Sequence, residues 1–319
     1  MLDLADPVAL TAALCDIPSV SGDERALADA VEAALRAHAH LEVFRDGDAV
    51  VARTHLGRAR RVVVAGHLDT VPVQGNLPTR LVDGELWGRG TVDMKGGVAA
   101  FMIAALAAPP PPGGVALLLT AGEETGSDGA RAIVGAGPLP PIGALIVAEP
   151  TENRAVPGHK GALWLRLRFH GVTAHGSMPE RGVNAIGLAA RALARIEALD
   201  LGAAHPVMGA PTLNIGTIAG GLNTNSVPDL CEVTLDLRSV PGVAHADLIA
   251  AIRALLPAGT EVEPLIDLPA VWTDPATPWL GAITRASAAI SGAPTDPVAM
   301  SYFTDASVFT PALDGVPTV

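Results

Sequence analysis

The sequence predicts an α/β protein whose catalytic domain is built on a mostly parallel sheet and is interrupted by a smaller inserted α+β domain. Three observations support this prediction. In the first half, short apolar runs alternate with stretches of helical apolar spacing, which is the order of strand–helix–strand units. After Pro157 the pattern changes to Leu alternating with Arg, which is typical of strands with one face in water. A chain of 319 residues is also long for a single core.

The first half supplies the elements of the larger domain. Helices are predicted from the spacing of apolar residues over 8–16, 24–37, 97–108 and 126–136. Strands are predicted from short apolar runs over 41–53, 61–65, 115–120 and 144–148. We expect the first two strands to be neighbours in the sheet and the prolines at 109–112 to end the third helix. A helix over 278–291 and an apolar run after Gly315 return the chain to this domain.

Residues 158–264 are predicted to form the inserted domain. Its elements follow the β-α-β-β-α-β order of ferredoxin-like proteins. They are, in order, a strand over 162–169, a helix over 184–199, strands over 212–218 and 231–238, a helix over 245–256 and a strand over 260–263. The catalytic domain then comprises residues 1–157 and 265–319.

Composition excludes several classes of partner. The net charge of −12 argues against nucleic acid and against an anionic membrane, since both require a basic face. Cys15 and Cys231 are far apart, which favours reduced thiols over a disulfide framework. The acidic N-terminus lacks the basic region of a signal peptide, and no apolar run approaches the roughly 20 residues that span a bilayer. We therefore expect a cytoplasmic protein.

Acidic and imidazole side chains recur just past the predicted strands of the first domain, where ligands bind in open α/β sheets. In chain order they are His67, Asp69, Asp93, Glu123, Glu124 and Glu149. Taken singly, each is explained by a buried hydrogen bond or, at Asp93, by a helix cap. Taken together, an imidazole and several carboxylates suit a borderline metal such as zinc.

Four motifs extend this interpretation. GHLDTVP, GRGTVDMKGG, TAGEETGSDGA and VAEPT resemble the signatures of the M20 metallopeptidase family, in content and in order. More narrowly, they are similar to the group that contains acetylornithine deacetylase and succinyl-diaminopimelate desuccinylase. The resemblance covers nearly the whole chain. It implies a zinc-peptidase-like catalytic domain, an inserted dimerisation domain and a homodimer.

The resemblance also implies roles for the motif residues in a two-zinc site, with Co²⁺ as an alternative ion. The ligands would be Asp93 as the bridge, His67 and Glu149 on the first ion, and Glu124 on the second. Glu123 would be the general base that takes a proton from the metal-bridged water. Asp69 would lie behind His67 and accept its other ring N–H. A cis peptide is expected after Asp93.

Further residues match substrate-binding positions of the family. His175, in the inserted domain, would reach the site of the partner subunit and stabilise the developing oxyanion. Arg238 and Asn225 would hold the substrate carboxylate and carbonyl, and Thr304 resembles a residue of the substrate-facing loop. Without the resemblance, His175 is an ordinary strand-end histidine and Arg238 a solvated or ion-paired arginine.

The resulting hypothesis is zinc-dependent hydrolysis of the amide bond of an N-acyl amino acid, in arginine or lysine biosynthesis. The substrate is of the N-acetylornithine or the N-succinyl-diaminopimelate type, and the segment GSMPERGVNAI is closer to the deacetylase pattern. A dipeptidase or aminoacylase of the same family would keep the same ligands. A non-enzymatic metal-binding homologue is the alternative from another class, and it would be marked by loss of a ligand or of the base. A dinucleotide-binding protein is set aside, because Gly88-Arg89-Gly90 is not a G-x-G-x-x-G fingerprint.

A last expectation concerns the end of the sequence. In the family, the final strand leads to a Gly-Pro-Gly turn and a histidine that completes the second zinc site. Here the sequence ends with 315–319, and no histidine follows His245. We therefore expect a C-terminally truncated catalytic domain and an incomplete second zinc site, so that one zinc is held firmly, a second is bound weakly, and activity is low or absent.

Overall fold

The computed structural model describes residues 2–54, 61–106, 114–136 and 142–319. The chain divides into two compact units. The first comprises Met1–Gly158, Trp272–Pro297 and Thr304–Val319, and the second comprises His159–Val271 and Val298–Phe303. The predicted class, an α/β domain with an inserted α+β domain, is confirmed. The prolines at 109–112, predicted to end a helix, lie outside the described residues.

The predicted helices and strands of the first unit occur in the predicted order, and two short strands, Arg80–Val82 and Glu85–Trp87, occur in addition. Its helices before the insertion are α1 (Pro7–Cys15), α2 (Arg25–Arg36), α3 (Lys95–Leu106) and α4 (Asp128–Gly135). Its strands are β1 (Leu41–Asp46), β2 (Ala49–Thr54), β3 (Arg61–His67), β4 (Arg80–Val82), β5 (Glu85–Trp87), β6 (Val115–Thr120) and β7 (Ile142–Val147).

The main sheet of this unit is mixed. Its strand order is β1-β2-β6-β3-β7. Strand β3 pairs in parallel with β6 and β7, whereas β2 is antiparallel to both β1 and β6. The carboxyl ends of β6, β3 and β7 therefore lie at the same edge of the sheet, which is where the predicted site residues follow.

The prediction of one strand over 41–53 beside the strand over 61–65 is wrong in two respects. The segment is a hairpin, in which Asp46 pairs with Ala49 across a two-residue turn. Gly47 in this turn has φ +55°, a conformation that glycine adopts without a steric penalty. The hairpin is also separated from β3 by β6, because β2 pairs with β6 over Val50–Arg53.

The second unit follows the β-α-β-β-α-β order. After the short strand β8 (Gly158–His159) come β9 (Gly161–His170), α5 (Ala185–Ile196), β10 (Thr212–Gly220), β11 (Leu230–Ser239), α6 (His245–Leu255) and β12 (Glu261–Leu268). The antiparallel sheet has the order β10-β11-β9-β12, as in ferredoxin-like folds. The predicted boundary at Pro264 falls inside β12, because the strand continues through an irregularity between Pro264 and Ile266.

The last elements are β13 (Val271–Trp272), α7 (Pro278–Ser291) and α8 (Ala306–Ala312). At the end of the chain, Thr318 forms a parallel bridge with Leu145 of β7, so the predicted final strand pairs with the sheet. Helix α8 is absent from the sequence prediction. Within the described residues, no helix has the length and apolar content needed to cross a membrane.

Helices cover both faces of the main sheet because successive side chains of each strand point to opposite faces. One core cluster joins Val64 of β3 and Leu117 of β6 to residues of α1, α2 and α3. The other joins Ala65 and Leu118 to residues of α4 and α8. This packing fixes the strands whose ends carry the site.

A hydrogen-bond chain in the second unit, with its Ser and His buried and its Asp exposed, has the Ser–His–Asp order of hydrolase triads. The Ser239 Oγ lies 2.7 Å from His245 Nε2, and His245 Nδ1 lies 2.6 Å from Asp267 Oδ1. Ser239 is only 1% exposed, so a substrate cannot reach its hydroxyl. The chain therefore serves to join β11, α6 and β12.

Candidate functional site

His67 is the last residue of β3, and its ring is held in one orientation. The ring Nδ1 lies 2.9 Å from the main-chain O of Asp69, and Nε2 lies 3.2 Å from Asp93 Oδ1. Because a carbonyl only accepts, Nδ1 carries the proton in the neutral ring, and the Nε2 lone pair faces Asp93. Burial alone would lower the pKa of His67, but the neighbouring Asp69 and Asp93 raise this pKa well above its usual range.

Three side chains meet with the spacing of metal ligands. His67, Asp93 and Glu124 each offer one ligand atom, and these atoms all lie within 4.8 Å of one another. They come from the end of β3, the segment before α3 and the loop after β6. Zinc bonds to imidazole nitrogen and carboxylate oxygen are about 2.0–2.2 Å long, so two donors of one ion lie at most about 4.4 Å apart, and small side-chain movements would let these three share one ion.

The carboxyl groups in and around the ligand-spaced group disfavour one another's ionisation. Burial raises the pKa of Glu123 well above its usual range, and the charges of Asp305 and Glu149 add to the effect. Burial and nearby carboxylates raise the pKa of Glu149 to about 8. Burial and Asp93 also raise the pKa of Glu124. A divalent cation would offset this repulsion, so the residues present fit a metal in charge as well as in spacing.

Asp69 holds the loop that carries the two glutamates. Its Oδ1 accepts the main-chain N–H of Glu123 at 3.1 Å, and its Oδ2 accepts that of Glu124 at 3.2 Å. The Ser21 hydroxyl donates to Oδ2 at 2.7 Å. Burial would raise the pKa of Asp69, but hydrogen bonds from His67, Ser21 and Glu123 lower it. The predicted contact with the His67 ring differs in detail, since Oδ1 is 3.5 Å from Nδ1 and the main-chain O of Asp69 is nearer.

The segment between Asp93 and α3 is fixed from the other side. The Asp93–Met94 peptide is cis, as the resemblance implies. Lys95 is buried, and its Nζ donates to the main-chain O of Leu14 at 3.1 Å and of Ile17 at 3.2 Å. Burial lowers the pKa of Lys95 to about 8. Lys95 therefore anchors the start of α3 to the end of α1.

Besides Asp69 and Glu123, two more predicted site residues of the first unit lie outside the ligand-spaced group found among the described residues. Glu149 is half-buried past the end of β7, and its charge acts on His67. Thr304 is buried, and its Oγ1 accepts the N–H of Ala306 at the start of α8 at 3.1 Å. Their roles as metal ligand and substrate-binding residue stay predictions.

Asp305 is a buried carboxyl group beside the predicted base. It is 1% exposed, and its Oδ2 accepts the hydroxyl of Thr120, the last residue of β6. Burial raises the pKa of Asp305. The sequence places Asp305 next to Thr304 but gives no sign of its contact with β6, because 185 residues separate Asp305 from Thr120.

In the second unit, His175 and Asn225 lie side by side and are exposed. The N–H of Gly176 donates to the main-chain O of Asn225 at 2.7 Å. The Nδ1 of His175 accepts the main-chain N–H of Ser177 at 3.2 Å and lies 2.8 Å from the Ser177 hydroxyl. In the neutral ring the proton is therefore on Nε2, which is the form that can donate to a developing oxyanion.

Arg238, predicted to hold a substrate carboxylate, has an acidic partner within the second unit. Its Nε lies 2.9 Å from Asp236 Oδ1, and its Nη2 donates to Oδ2 at 3.2 Å. The guanidinium carbon also lies 5.9 Å from the ring centroid of Trp164 and 6.0 Å from that of Phe303. These contacts hold the guanidinium in place, and a substrate carboxylate would compete with Asp236 for it.

Comparisons with known proteins identify relatives of the chain by sequence and by fold. Residues 157–262 match the family described as peptidase dimerisation domain, and residues 49–152 match peptidase family M28. A Mycobacterium tuberculosis protein is 40% identical over 255 residues, which cover 76% of this chain and 70% of that protein. That protein is provisionally named a succinyl-diaminopimelate desuccinylase. Acetylornithine deacetylase of Klebsiella pneumoniae is 37% identical over 201 residues, covering 59% of this chain and 52% of that protein. The crystal structure of an M20 family metallo-carboxypeptidase from Sulfolobus solfataricus has a TM-score of 0.77 at 14% identity, covering 98% of this chain and 90% of that one.

The fold and the sequence relationships define a hydrolase that acts on amide bonds. The chain belongs to the M20 family of metallopeptidases, in the group of the succinyl-diaminopimelate desuccinylases and acetylornithine deacetylases.

Proposed function

We propose that the chain hydrolyses the amide bond of an N-acyl amino acid in a zinc-dependent reaction with Glu123 as general base. The observation that carries the proposal is the meeting of His67, Asp93 and Glu124 at ligand spacing, with Glu123 on the same Asp69-held loop. The longer and closer match to a desuccinylase makes N-succinyl-diaminopimelate the first substrate to test, and N-acetylornithine the second.

In this mechanism one set of residues binds the metal and Glu123 transfers the proton. His67, Asp93 and Glu124, with Glu149 as a further candidate ligand, would hold a divalent cation, which would supply Lewis-acid activation of water and of the amide carbonyl. Glu123 accepts the proton of the water that attacks the carbonyl carbon. As the C–N bond breaks, Glu123 returns this proton to the leaving nitrogen, which gives an amine and a carboxylic acid, and the acid then loses the second proton of the water to become a carboxylate. A buried carboxyl group of raised pKa suits both transfers.

The second unit would contribute recognition groups. We propose that the chain forms a homodimer, in which the Nε2–H of His175 donates to the oxyanion in the partner's site. Asn225 and Arg238 would bind the substrate carbonyl and carboxylate. From the first unit, Thr304 would line the substrate-facing loop. The match of residues 157–262 to a dimerisation domain supports the dimer.

Complementation between inactive chains tests the contribution in trans. We expect the His175→Ala and Glu123→Ala homodimers to be inactive, and their mixture to recover activity. With random exchange, half of the dimers are mixed and each has one intact site, so recovery should reach about a quarter of wild-type turnover. Absence of recovery in verified mixed dimers would contradict the arrangement.

A substrate panel tests the proposed activity itself. The zinc-loaded chain is incubated with N-succinyl-diaminopimelate, N-acetylornithine and an unmodified dipeptide, and release of free amine is measured. We expect turnover of an acyl amino acid to exceed that of the dipeptide. Preference for the dipeptide would identify a dipeptidase, and failure to hydrolyse any of them would contradict the proposal.

A further inference from the structure

Three successive main-chain N–H groups in the glutamate loop all donate to carboxylates. Those of Glu123 and Glu124 donate to the two oxygens of Asp69. The preceding N–H, of Gly122, donates to Oε1 of Glu24 at 3.1 Å. Successive amide N–H groups of this kind form a concavity that binds anions. Here the loop is held from behind by two acidic side chains.

Glu24 is unusual in its surroundings. It is 3% exposed and directly precedes α2, but its side chain does not cap that helix. Its Oε1 instead accepts the N–H of Gly22 at 3.0 Å in addition to that of Gly122. No ion pair of the described part of the chain involves Glu24. A buried carboxylate is costly unless it is hydrogen-bonded, so these amide contacts are the ones that compensate its burial.

The conformation of Gly122 links this contact to the site. Gly122 has φ +69°, a left-handed conformation, at the turn that follows β6. Its N–H faces Glu24, whereas the side chains of the next two residues belong to the site. Glu124 contributes an oxygen to the ligand-spaced group, and the charge of Glu123 acts on His67. Two adjacent glutamates can serve as base and ligand only if this backbone is held in one geometry.

We propose that Glu24 is a positioning residue for Glu123, acting through the main chain of Gly122. The proposal rests on the function proposed above. Glu24 and Asp69 together fix the three amides, so loss of Glu24 frees the first of them while Asp69 still holds the other two. Displacement of a catalytic group by about 1 Å can lower a rate roughly 10²-fold, which sets the size of the expected effect.

Two substitutions of Glu24 separate the acceptor from the charge. Glu24→Ala removes the acceptor of both N–H groups, and we expect kcat to fall about 10²-fold with KM and bound zinc near wild type. Glu24→Gln keeps a carbonyl oxygen where Oε1 accepts both bonds, and we expect kcat to stay within about tenfold of wild type. Amide hydrogen exchange at Gly122 should accelerate in the alanine variant and remain slow in the glutamine variant.

Leu27→Ala is the control for general destabilisation. Leu27 lies in α2, the helix that Glu24 directly precedes. It is fully buried in the core, and its side chain cannot hydrogen-bond to the loop. A Leu→Ala change in a core removes buried contacts and leaves a cavity, so this variant should lower the Tm at least as much as Glu24→Ala does. At a temperature where every variant is folded, it should keep wild-type kcat and slow exchange at Gly122.

The outcomes distinguish this proposal from the function on which it rests. If the wild-type chain hydrolyses acyl amino acids and Glu24→Ala does so equally fast, the positioning role is overturned and the function stands. Equal losses of kcat in Glu24→Ala and Leu27→Ala also overturn it, since the effect is then one of stability. If the wild-type chain releases no amine, the proposed function fails, and the positioning role fails with it.

Discussion

Glu123→Gln is expected to abolish most turnover while leaving the metal in place. The substitution keeps the size of the side chain but removes its capacity to accept a proton from water. General bases contribute typically 10²–10⁴-fold, so we expect kcat to fall by at least about 10²-fold. Zinc content after dialysis should equal that of the wild-type chain, because the ligand-spaced group consists of His67, Asp93 and Glu124.

Glu124→Gln is the matched control, since the two residues are neighbours on the same loop. Here we expect reduced zinc affinity, and turnover that rises again when excess zinc is supplied. The two variants therefore differ in zinc content and in the response to added metal. Loss of zinc in Glu123→Gln with retention in Glu124→Gln would mean that the roles of the two glutamates are exchanged.

Asp93→Asn is expected to remove metal binding and activity together. Asp93 is the exposed member of the ligand-spaced group, and it is the carboxylate nearest to His67 Nε2 among the ligands. Loss of a group that merely supports a ligand typically costs 10–100-fold in metal affinity, so loss of a ligand should cost at least about 100-fold. Turnover at a zinc concentration that saturates the wild-type chain should fall accordingly.

The same substitution has a second readout that does not depend on activity. A ligand that binds only the folded chain raises its Tm, so added zinc should raise the Tm of the wild-type chain and leave that of Asp93→Asn unchanged. Asp83→Asn, in the β4–β5 turn, is the control and should behave as wild type. A zinc-induced rise in the Tm of Asp93→Asn equal to that of wild type would contradict the assignment.

The positions of the candidate site residues could be predicted from the sequence because most of them lie at or just after the end of an apolar strand. His67 ends β3, and Glu123 follows β6, so the sheet itself brings them to one edge. The sequence motifs supported the family, the inserted domain and the cis peptide after Asp93.

Other features depend on contacts between distant segments, which spacing does not reveal. The bond from Gly122 to Glu24 joins residues 98 apart, and Glu24 lies outside the four sequence motifs that identified the site. The β4–β5 hairpin was not predicted, although a local signal for it exists in the sequence. Its turn is Asp83-Gly84, a typical hairpin dipeptide, and both residues have positive φ in the structure. The position of β6 between β2 and β3 could not be predicted, since pairing with either side satisfies its apolar run equally well.

Restoration of activity to the metal-free chain tests the central claim most directly. The chain is stripped of metal with a chelator, zinc is added back in steps, and bound zinc is measured together with amine release from N-succinyl-diaminopimelate and N-acetylornithine. We predict no turnover without metal, and turnover of one of these substrates that rises in proportion to the zinc bound. Undiminished turnover by the metal-free chain, or no turnover of either substrate by the zinc-loaded chain, would contradict the account.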